Sequence, residues 1–133
     1  LQICILTIEE STIMTSSFQT ERPWGIFETL YDTDTYKVKR IYVNPDQSFS
    51  LQYHLHRCED WIIVEGSGKI RHGEWEDNCV VGDRFHIPAN FVHRATAGPD
   101  GLTFIEVQRG VGIQPICDED DIVRLEDNYG RVV

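Results

Sequence analysis

The sequence predicts an all-β fold, a single-domain double-sheet jelly-roll barrel. From Glu21 onward, about eight or nine short apolar segments recur at a spacing of roughly 8–12 residues, separated by turn residues and without helical periodicity. The 133 residues, 41% apolar and 11% aromatic, are enough for one hydrophobic core and too few for two. We therefore expect one barrel and no second domain.

The strands follow one another in a readable order. Residues 24–31 and 35–43 are joined by an Asp-Thr-Asp turn, and an Asn-Pro-Asp-Gln turn follows at residues 44–47. Residues 48–56 alternate with a period of two, which is the period of a β-strand. Further strands are predicted at residues 69–72, 75–81, on either side of Pro88, and at 102–110.

The two ends of the chain differ from this pattern. We expect residues 1–20 to form a poorly ordered N-terminal extension and residues 21–133 to form the barrel with an acidic C-terminal extension. The sole methionine, Met14, precedes a polar Thr-Ser-Ser stretch and is interpreted as the biological start, since the preceding residues lack the basic region of a signal peptide. The tail from Cys117 contains a small apolar group, which predicts a packed extension or a short helical turn.

Composition excludes several partners. The formal net charge of −10 disfavours a nucleic-acid or anionic-membrane surface, because such binding needs a positive field. The four cysteines form no C-x-x-C pair, which favours reduced thiols in a cytoplasmic protein over a disulfide scaffold. No apolar run approaches transmembrane length. These features predict a cytoplasmic protein that binds neither nucleic acid nor a membrane surface.

One stretch of the chain concentrates side chains that bind metals. Gln52 and His54 share one face of the predicted strand, about 7 Å apart, and a turn at Arg57-Cys58 would bring Glu59 back beside them. His93, at the start of a later strand, offers a fourth ligand. A set of imidazole, carboxylate and amide without thiolate leaves Zn, Mn, Fe, Co and Ni open.

Two motifs with regular spacing contain these residues. The first runs from Asp46 through Gln52-x-His54 and Glu59 to Gly66, and the second from Gly82 through Pro88-x-Asn90 to His93. In these motifs the chain resembles the cupin superfamily over most of residues 24–110. It is most similar to the type 2 mannose-6-phosphate isomerase family, which is also found as the C-terminal domain of bifunctional mannose-1-phosphate guanylyltransferase/mannose-6-phosphate isomerases. The likeness is carried by residues 22–25, 36–41, 50–61, 87–89, 93–94, 105–108 and 119–124.

The sequence departs from the family pattern at three positions. Asp46 and Asn90 stand where the motifs usually have glycine, but Asp and Asn are the non-glycine residues that left-handed turns tolerate best. Asp60 stands where this branch often has histidine, which bears on the substrate pocket. The sequence contains no glycine-rich nucleotide loop, so we do not expect nucleotidyl transfer from it.

The resemblance implies a metal-dependent isomerase that interconverts mannose 6-phosphate and fructose 6-phosphate for GDP-mannose and polysaccharide biosynthesis. The implied metal, with Zn as the first expectation, would be held by Gln52, His54, Glu59 and His93. The candidate catalytic bases are His56, Glu106 and Asp60. The candidate phosphate ligands are the basic residues closest to the motifs, Arg57, Arg94, Lys37 and Lys39.

Other interpretations of the same residues stay open. Gln52 and His56 would also suit hydrogen-bonding partners of the ligands, and the lysines would suit the solvated face of a strand, with Arg40 on the opposite side. The domain could be a non-catalytic metal-binding cupin that binds a sugar phosphate or nucleotide sugar. It could also be another small-molecule cupin enzyme, such as a sugar epimerase or dioxygenase. A homodimer is expected, because cupins commonly pair through outer strands.

Overall fold

The computed structural model describes residues 18–132, which form nine β-strands and no helix. The all-β prediction is confirmed. The strands are β1 (Phe18–Arg22), β2 (Gly25–Asp32), β3 (Tyr36–Val43), β4 (Leu51–Tyr53), β5 (Arg57–His72), β6 (Trp75–Val80), β7 (Arg84–Ile87), β8 (His93–Gly110) and β9 (Val123–Glu126).

Two long strands, β5 and β8, organise the barrel. They pair antiparallel with each other, and bulges between Ile63 and Glu65 and between Gly66 and Gly68 bend the ladder. One sheet path runs β1-β2-β3-β8-β4-β9, while β6 and β7 both pair with β5. β8 pairs with β3 and β4 on this path and also with β5, which carries β6 and β7. Both groups of strands can therefore face a common interior.

An aromatic cluster fills the centre of that interior. Phe49 lies 5.6 Å from Trp24 and 6.0 Å from Trp61, and Trp61 lies 4.5 Å from Phe104, between ring centroids. All four side chains are buried. Their rings supply the rigid apolar wall against which the polar side chains of the site are held.

The turns bear out the expectation for the two non-glycine positions. Asp46 and Asn90 both adopt positive φ, at 60° and 68°. Gly66, also with positive φ, closes the first motif, where a Cβ would come within 2.1 Å of the Gly101 carbonyl oxygen. The backbone amide of Asn90 donates to the His54 carbonyl at 2.7 Å, so the turn of the second motif is fastened to the first motif.

The predicted strand over residues 48–56 is wrong in extent. Only Leu51–Tyr53 is a strand, and Ser48 forms an isolated bridge with Thr96. The chain turns at residues 54–56, because the Asp121 carboxylate accepts the backbone amides of Leu55 and His56 at 2.8 Å each. Residue 57 already begins β5, so the turn comes earlier than the predicted turn at Arg57-Cys58.

The chain ends partly follow the expectation. β1 begins at Phe18, so residues 18–20 of the expected extension belong to the first strand; Met14 and Cys4 lie outside the described residues. The tail is a packed extension, since β9 pairs with β4, and it forms a strand there instead of a helical turn. Cys58, Cys79 and Cys117 are buried free thiols. Residues 18–132 include no helix that could cross a membrane.

Candidate metal centre

Three of the predicted ligands converge inside the barrel. His54 lies in the turn after β4, Glu59 on β5 and His93 at the start of β8, and one ligand atom from each falls within 4.8 Å of the others. His54 Nε2 is 3.0 Å from Glu59 Oε1, and His93 Nε2 is 3.7 Å from Glu59 Oε2. All three side chains are buried. We call these residues the triad.

Backbone carbonyls orient both imidazole rings. His54 Nδ1 is 2.6 Å from the Asp121 carbonyl oxygen, and His93 Nδ1 is 2.9 Å from that of Phe91. A carbonyl only accepts, so each Nδ1 carries the proton and each Nε2 presents a lone pair to the space between the three side chains. Histidine ligands of metal sites are oriented in this way.

The electrostatics of the triad suit a cation. His93 Nε2 is buried without a hydrogen-bond partner among the described residues. Burial lowers the pKa of His93, partly opposed by the charge of Glu59, so the ring stays neutral and able to ligate. Burial alone would raise the pKa of Glu59, but its contact with His54 and its proximity to His93, His54 and Arg57 outweigh this and lower it. Two imidazoles and one carboxylate form a donor set that fits zinc and its divalent neighbours.

Two side chains hold Glu59 in place. Arg57 Nε donates to Glu59 Oε1 at 3.2 Å, and Trp61 Nε1 donates to Oε2 at 2.9 Å. A second guanidinium nitrogen of Arg57 lies 3.2 Å from His54 Nε2, and a third donates to the Asp118 carbonyl at 3.0 Å. Arg57 was predicted as a phosphate ligand, but its guanidinium nitrogens contact the triad and the tail.

Gln52 lies beside the triad. It pairs with His93 across β4 and β8, and its side-chain oxygen accepts a hydrogen bond from the Ser50 hydroxyl at 2.6 Å. The side chain is half-buried and lines the same cavity as Glu59. This position is compatible with either interpretation of Gln52, as a ligand or as a hydrogen-bonding neighbour of the ligands.

A cavity of about 320 Å³ is lined by one member of the triad, Glu59. Aromatic and aliphatic side chains form one wall, and charged side chains of both signs form the others. Its acidic lining residues are Glu59, Glu106, Glu119 and Asp120, and its basic ones are Arg22, Lys39, Arg57, Arg124 and Arg131. The volume lies within the range of pockets that bind small molecules.

Glu106 is the one predicted catalytic base that the structure brings to this cavity. It is buried on β8, and Gln108 Nε2 donates to its Oε1 at 2.6 Å. The thiol of Cys117 donates to the Gln108 side-chain oxygen at 3.4 Å and so fixes the amide orientation. Burial, and then the charge of Glu59, raise the pKa of Glu106 to about 8.

The structure does not bring His56 or Asp60 to the cavity. His56 is exposed in the turn before β5 and lines a separate surface depression with Ile116. Asp60 is exposed on the outer face of β5 and forms an ion pair with His86 at 2.7 Å. The reason is the alternation of the strand, since Glu59 faces inward and its neighbour must face outward.

The predicted phosphate ligands also separate. Lys39 is buried, lines the cavity and pairs with Glu119. Lys37 pairs with Asp32 at 3.5 Å and with Glu119 at 3.7 Å. Arg94 donates to the Phe49 carbonyl at 2.9 Å and to the Glu126 carbonyl at 3.2 Å.

Neither Lys37 nor Arg94 is among the cavity-lining residues of the described part of the chain. Arg40 faces the opposite side from the lysines, as expected, and pairs there with Glu28 and Glu65.

The polar residues of the cavity to which sequence reasoning assigned no role include Arg22, Gln108, Arg124 and Arg131. A signal was present for three of them. Arg22, Gln108 and Arg124 lie within segments that carry the family likeness. Their roles were not readable, because the likeness alone does not say which side chains face the interior.

The fold is that of a cupin-type barrel, and the triad is a candidate metal site within it. Oxalate decarboxylase from Bacillus subtilis superposes with a TM-score of 0.71 and 16% identity, over 84% of this chain and 31% of that one. A cupin-2 domain protein of Rhodospirillum rubrum superposes with a TM-score of 0.62 and 17% identity, over 80% and 77% of the two chains. At these identities the similarity shows the fold alone, and the predicted cupin barrel is confirmed.

The model of the family described as mannose-6-phosphate isomerase C-terminal matches residues 9–127, and the chain belongs to that family. A mannose-1-phosphate guanylyltransferase of Salmonella muenchen is 42% identical over 82% of this chain, which spans 22% of that protein's length. The xanthan biosynthesis protein XanB of Xanthomonas campestris is 40% identical over 83% of this chain, which spans 23% of its length. The predicted family resemblance is confirmed. The chain spans less than a quarter of the length of these relatives.

Proposed function

We propose that this domain is a metal-dependent aldose-ketose isomerase that interconverts mannose 6-phosphate and fructose 6-phosphate. The observation that carries the proposal is that a buried carboxyl group with raised pKa, Glu106, lines the same cavity as Glu59 of the triad. Family membership supports the choice of substrate. We further propose a cytoplasmic homodimer that uses zinc, or else Mn, Co, Fe or Ni.

The triad would hold the metal through His54 Nε2, His93 Nε2 and a Glu59 carboxylate oxygen, with Gln52 beside them. When bound, a divalent ion supplies polarisation of the substrate carbonyl and stabilises negative charge on the sugar oxygens. Trp61 and Arg57 keep Glu59 in one orientation. The ligand geometry is therefore set by the protein before any ligand arrives.

Glu106 would move the proton. The reaction transfers a proton between C2 and C1 of the open-chain sugar through a cis-enediol, and one carboxylate placed beside both carbons can take it from one and return it to the other. In the metal-free protein Glu106 has a pKa of about 8 and is populated in both protonation states near neutral pH, which suits a group that acts as base and then as acid. The hydrogen bond from Gln108 restrains its rotation.

Burial of the whole arrangement serves the same chemistry. Glu59, Glu106 and Gln108 are all buried, and three rings of the aromatic cluster line the cavity beside them. Water is thereby kept from the enediol, and the charges act on one another through a less polarisable medium than water.

The proposal is tested with a matched pair of variants, Glu106→Gln and Asp60→Asn. Metal content is measured first, followed by a coupled fructose 6-phosphate assay in the presence of Zn, Mn or Co. We expect Glu106→Gln to keep its metal and to lose turnover by roughly a hundred- to ten-thousandfold. Asp60→Asn, exposed on the outer face, should keep both.

Full activity in Glu106→Gln would remove the assigned base. A wild-type protein that binds mannose 6-phosphate and converts none of it with any of these metals would be a sugar-phosphate-binding cupin instead of an isomerase.

A further inference from the structure

Four arginines line the cavity. One of them, Arg57, contacts the triad, and the other three are Arg22 on β1, Arg124 on β9 and Arg131 beyond it. We call these three the arginine cluster. The other two basic lining residues already have carboxylate partners, since Arg57 pairs with Glu59 and Lys39 with Glu119.

Within the arginine cluster, Arg131 is held by Asp127, with contacts of 2.7 and 3.1 Å. Arg22 and Arg124 have no ion pair with any residue in the described range 18–132. Two acidic residues that line the cavity, Glu106 and Asp120, form no ion pair with the arginine cluster within the described range. The guanidinium groups of Arg22 and Arg124 are therefore not neutralised by an ion pair within the described residues.

The strand register places Arg124 of the arginine cluster in one row with His93 of the triad. Gln52 on β4 pairs with His93 on one side and with Arg124 on the other. Residues directly opposite on neighbouring strands project to the same face, so all three side chains belong to one row. Two strand spacings separate the ends of the row, about 10 Å. A ligand lying along it would have one end at the triad and the other at Arg124.

The arrangement is unfavourable for the protein by itself. Arg124 Nε is buried and has no hydrogen-bond partner among the described residues. Burial, and then the positive charge of Arg131, lower the pKa of Arg124, and Arg22 adds to this while Asp127 opposes it. The whole chain has a formal net charge of −10, so a local excess of guanidinium groups does not follow from composition. A dianion would relieve both the repulsion and the unmade hydrogen bond.

We propose that Arg22, Arg124 and Arg131 bind the phosphate of the hexose 6-phosphate, an assignment of the phosphate end that rests on the proposed function. An open-chain hexose 6-phosphate carries its phosphate at the opposite end from C1 and C2, which matches the separation along the row. Guanidinium groups bind phosphate oxygens in bidentate pairs. We assign the phosphate to the arginine cluster instead of to Arg94 and Lys37, because those two residues contact other parts of the fold.

Calorimetric titration of mannose 6-phosphate, mannose and inorganic phosphate tests the assignment. We expect Arg124→Gln to weaken binding of mannose 6-phosphate and of inorganic phosphate by about ten- to a hundredfold, and to leave mannose unchanged. Arg84→Gln is the charge-matched control, because Arg84 is exposed on β7 and does not line the cavity. Arg124→Lys should recover part of the loss, since a lysine keeps the charge without the planar fork.

Arg22→Gln provides a second variant whose residue is exposed, should Arg124→Gln fold poorly. Turnover in the wild type with unchanged phosphate affinity in both glutamine variants would overturn the subsite while the isomerase stands. Selective loss of phosphate affinity in a wild-type background without turnover would support the subsite and overturn the isomerase. If no phosphate ligand binds the wild type, the subsite is wrong.

Discussion

Two neighbouring carboxylates of β5 each contact a histidine, one on the inner face of the strand and one on the outer face. Glu59 faces inward and meets His54 at 3.0 Å, while its neighbour Asp60 faces outward and meets His86 at 2.7 Å. The inner side chains are 2% and 3% exposed, and the outer ones are each 53% exposed. The same two functional groups, one residue apart, therefore occupy opposite environments.

The shorter contact belongs to the pair without a site. His86 uses Nδ1 itself to meet Asp60, whereas His54 commits Nδ1 to the Asp121 carbonyl and keeps Nε2 for the interior. The inner pair also has a third ligand, His93. Exposed ion pairs contribute about 0–1 kcal/mol to stability and are screened by salt. The inner pair differs from the outer pair in its burial and in having a third ligand nearby, and not in a shorter histidine-carboxylate distance.

The strongest test of this comparison is Glu59→Gln beside Asp60→Asn. Removing one of three charged or basic ligands should weaken metal affinity on the order of a thousandfold, whereas the outer substitution should leave it unchanged. Zinc titration and metal content after dialysis measure the difference. Equal metal content in both variants would contradict the assignment of the triad.

Arg57 and Arg40 provide a second contrast. Arg57 pairs with buried Glu59, so Arg57→Gln should lower the free energy of unfolding of the metal-free protein by about 3 kcal/mol or more, because it leaves a buried charge uncompensated. Bound metal should reduce that loss, since it takes over the compensation. Arg40 is 41% exposed in its pairs with Glu28 and Glu65, so Arg40→Gln should cost no more than about 1 kcal/mol.

Urea unfolding with and without zinc separates the two effects. An equal loss in Arg57→Gln under both conditions would argue against a metal beside Glu59.

Glu106 makes the inner face sensitive to pH. Its pKa of about 8 lies above the ordinary value of 4.5, so between these values the folded protein retains a proton that the unfolded chain has released. The contribution of Glu106 to the free energy of unfolding of the metal-free protein should therefore fall as pH rises from 4.5 to about 8, with a slope of the order of 1 kcal/mol per pH unit. Glu106→Gln should remove this slope, and Asp60→Asn should keep it. Urea unfolding at a series of pH values measures both, and an unchanged slope in Glu106→Gln would show that the carboxyl group titrates normally.

The smallest expected effect has the opposite sign. Arg124→Gln should raise the free energy of unfolding by about 1 kcal/mol, because it removes a charge whose Nε is buried without a partner. Arg84→Gln, on the outer face, should change it by less than about 0.5 kcal/mol. Thermal unfolding without phosphate is the measurement. Destabilisation of Arg124→Gln would mean that the arginine serves the fold.

The triad could be predicted from the sequence, because the spacing of the motif indicates a strand, a turn and a second strand. His54, Glu59 and His93 followed from that spacing, as did the left-handed turns at Asp46 and Asn90. The triad itself was predicted together with Gln52, whose role remains a prediction. The barrel followed from short strands and turn residues alone.

His56 and Asp60 show where pattern reading stops. Placing His56 beside His54 assumed one uninterrupted strand, but β4 ends at Tyr53 and the chain turns. Asp60 could have been set aside from the alternation of β5, because two adjacent residues do not face the same side. The arginine cluster joins residues about a hundred positions apart, through the pairing of β9 with β4, and such long-range pairing cannot be read from one sequence.

Asp121 gives the tail a reciprocal influence on the triad. Its carbonyl orients the ring of His54, and its carboxylate accepts the amides of Leu55 and His56. Anything that favours the oriented ring therefore favours the docked tail, and by thermodynamic linkage the docked tail favours ligation by His54 to the same degree. Amide hydrogen exchange at two exposed loop residues, Leu55 and His56, should consequently slow when a cation binds in the interior of the barrel.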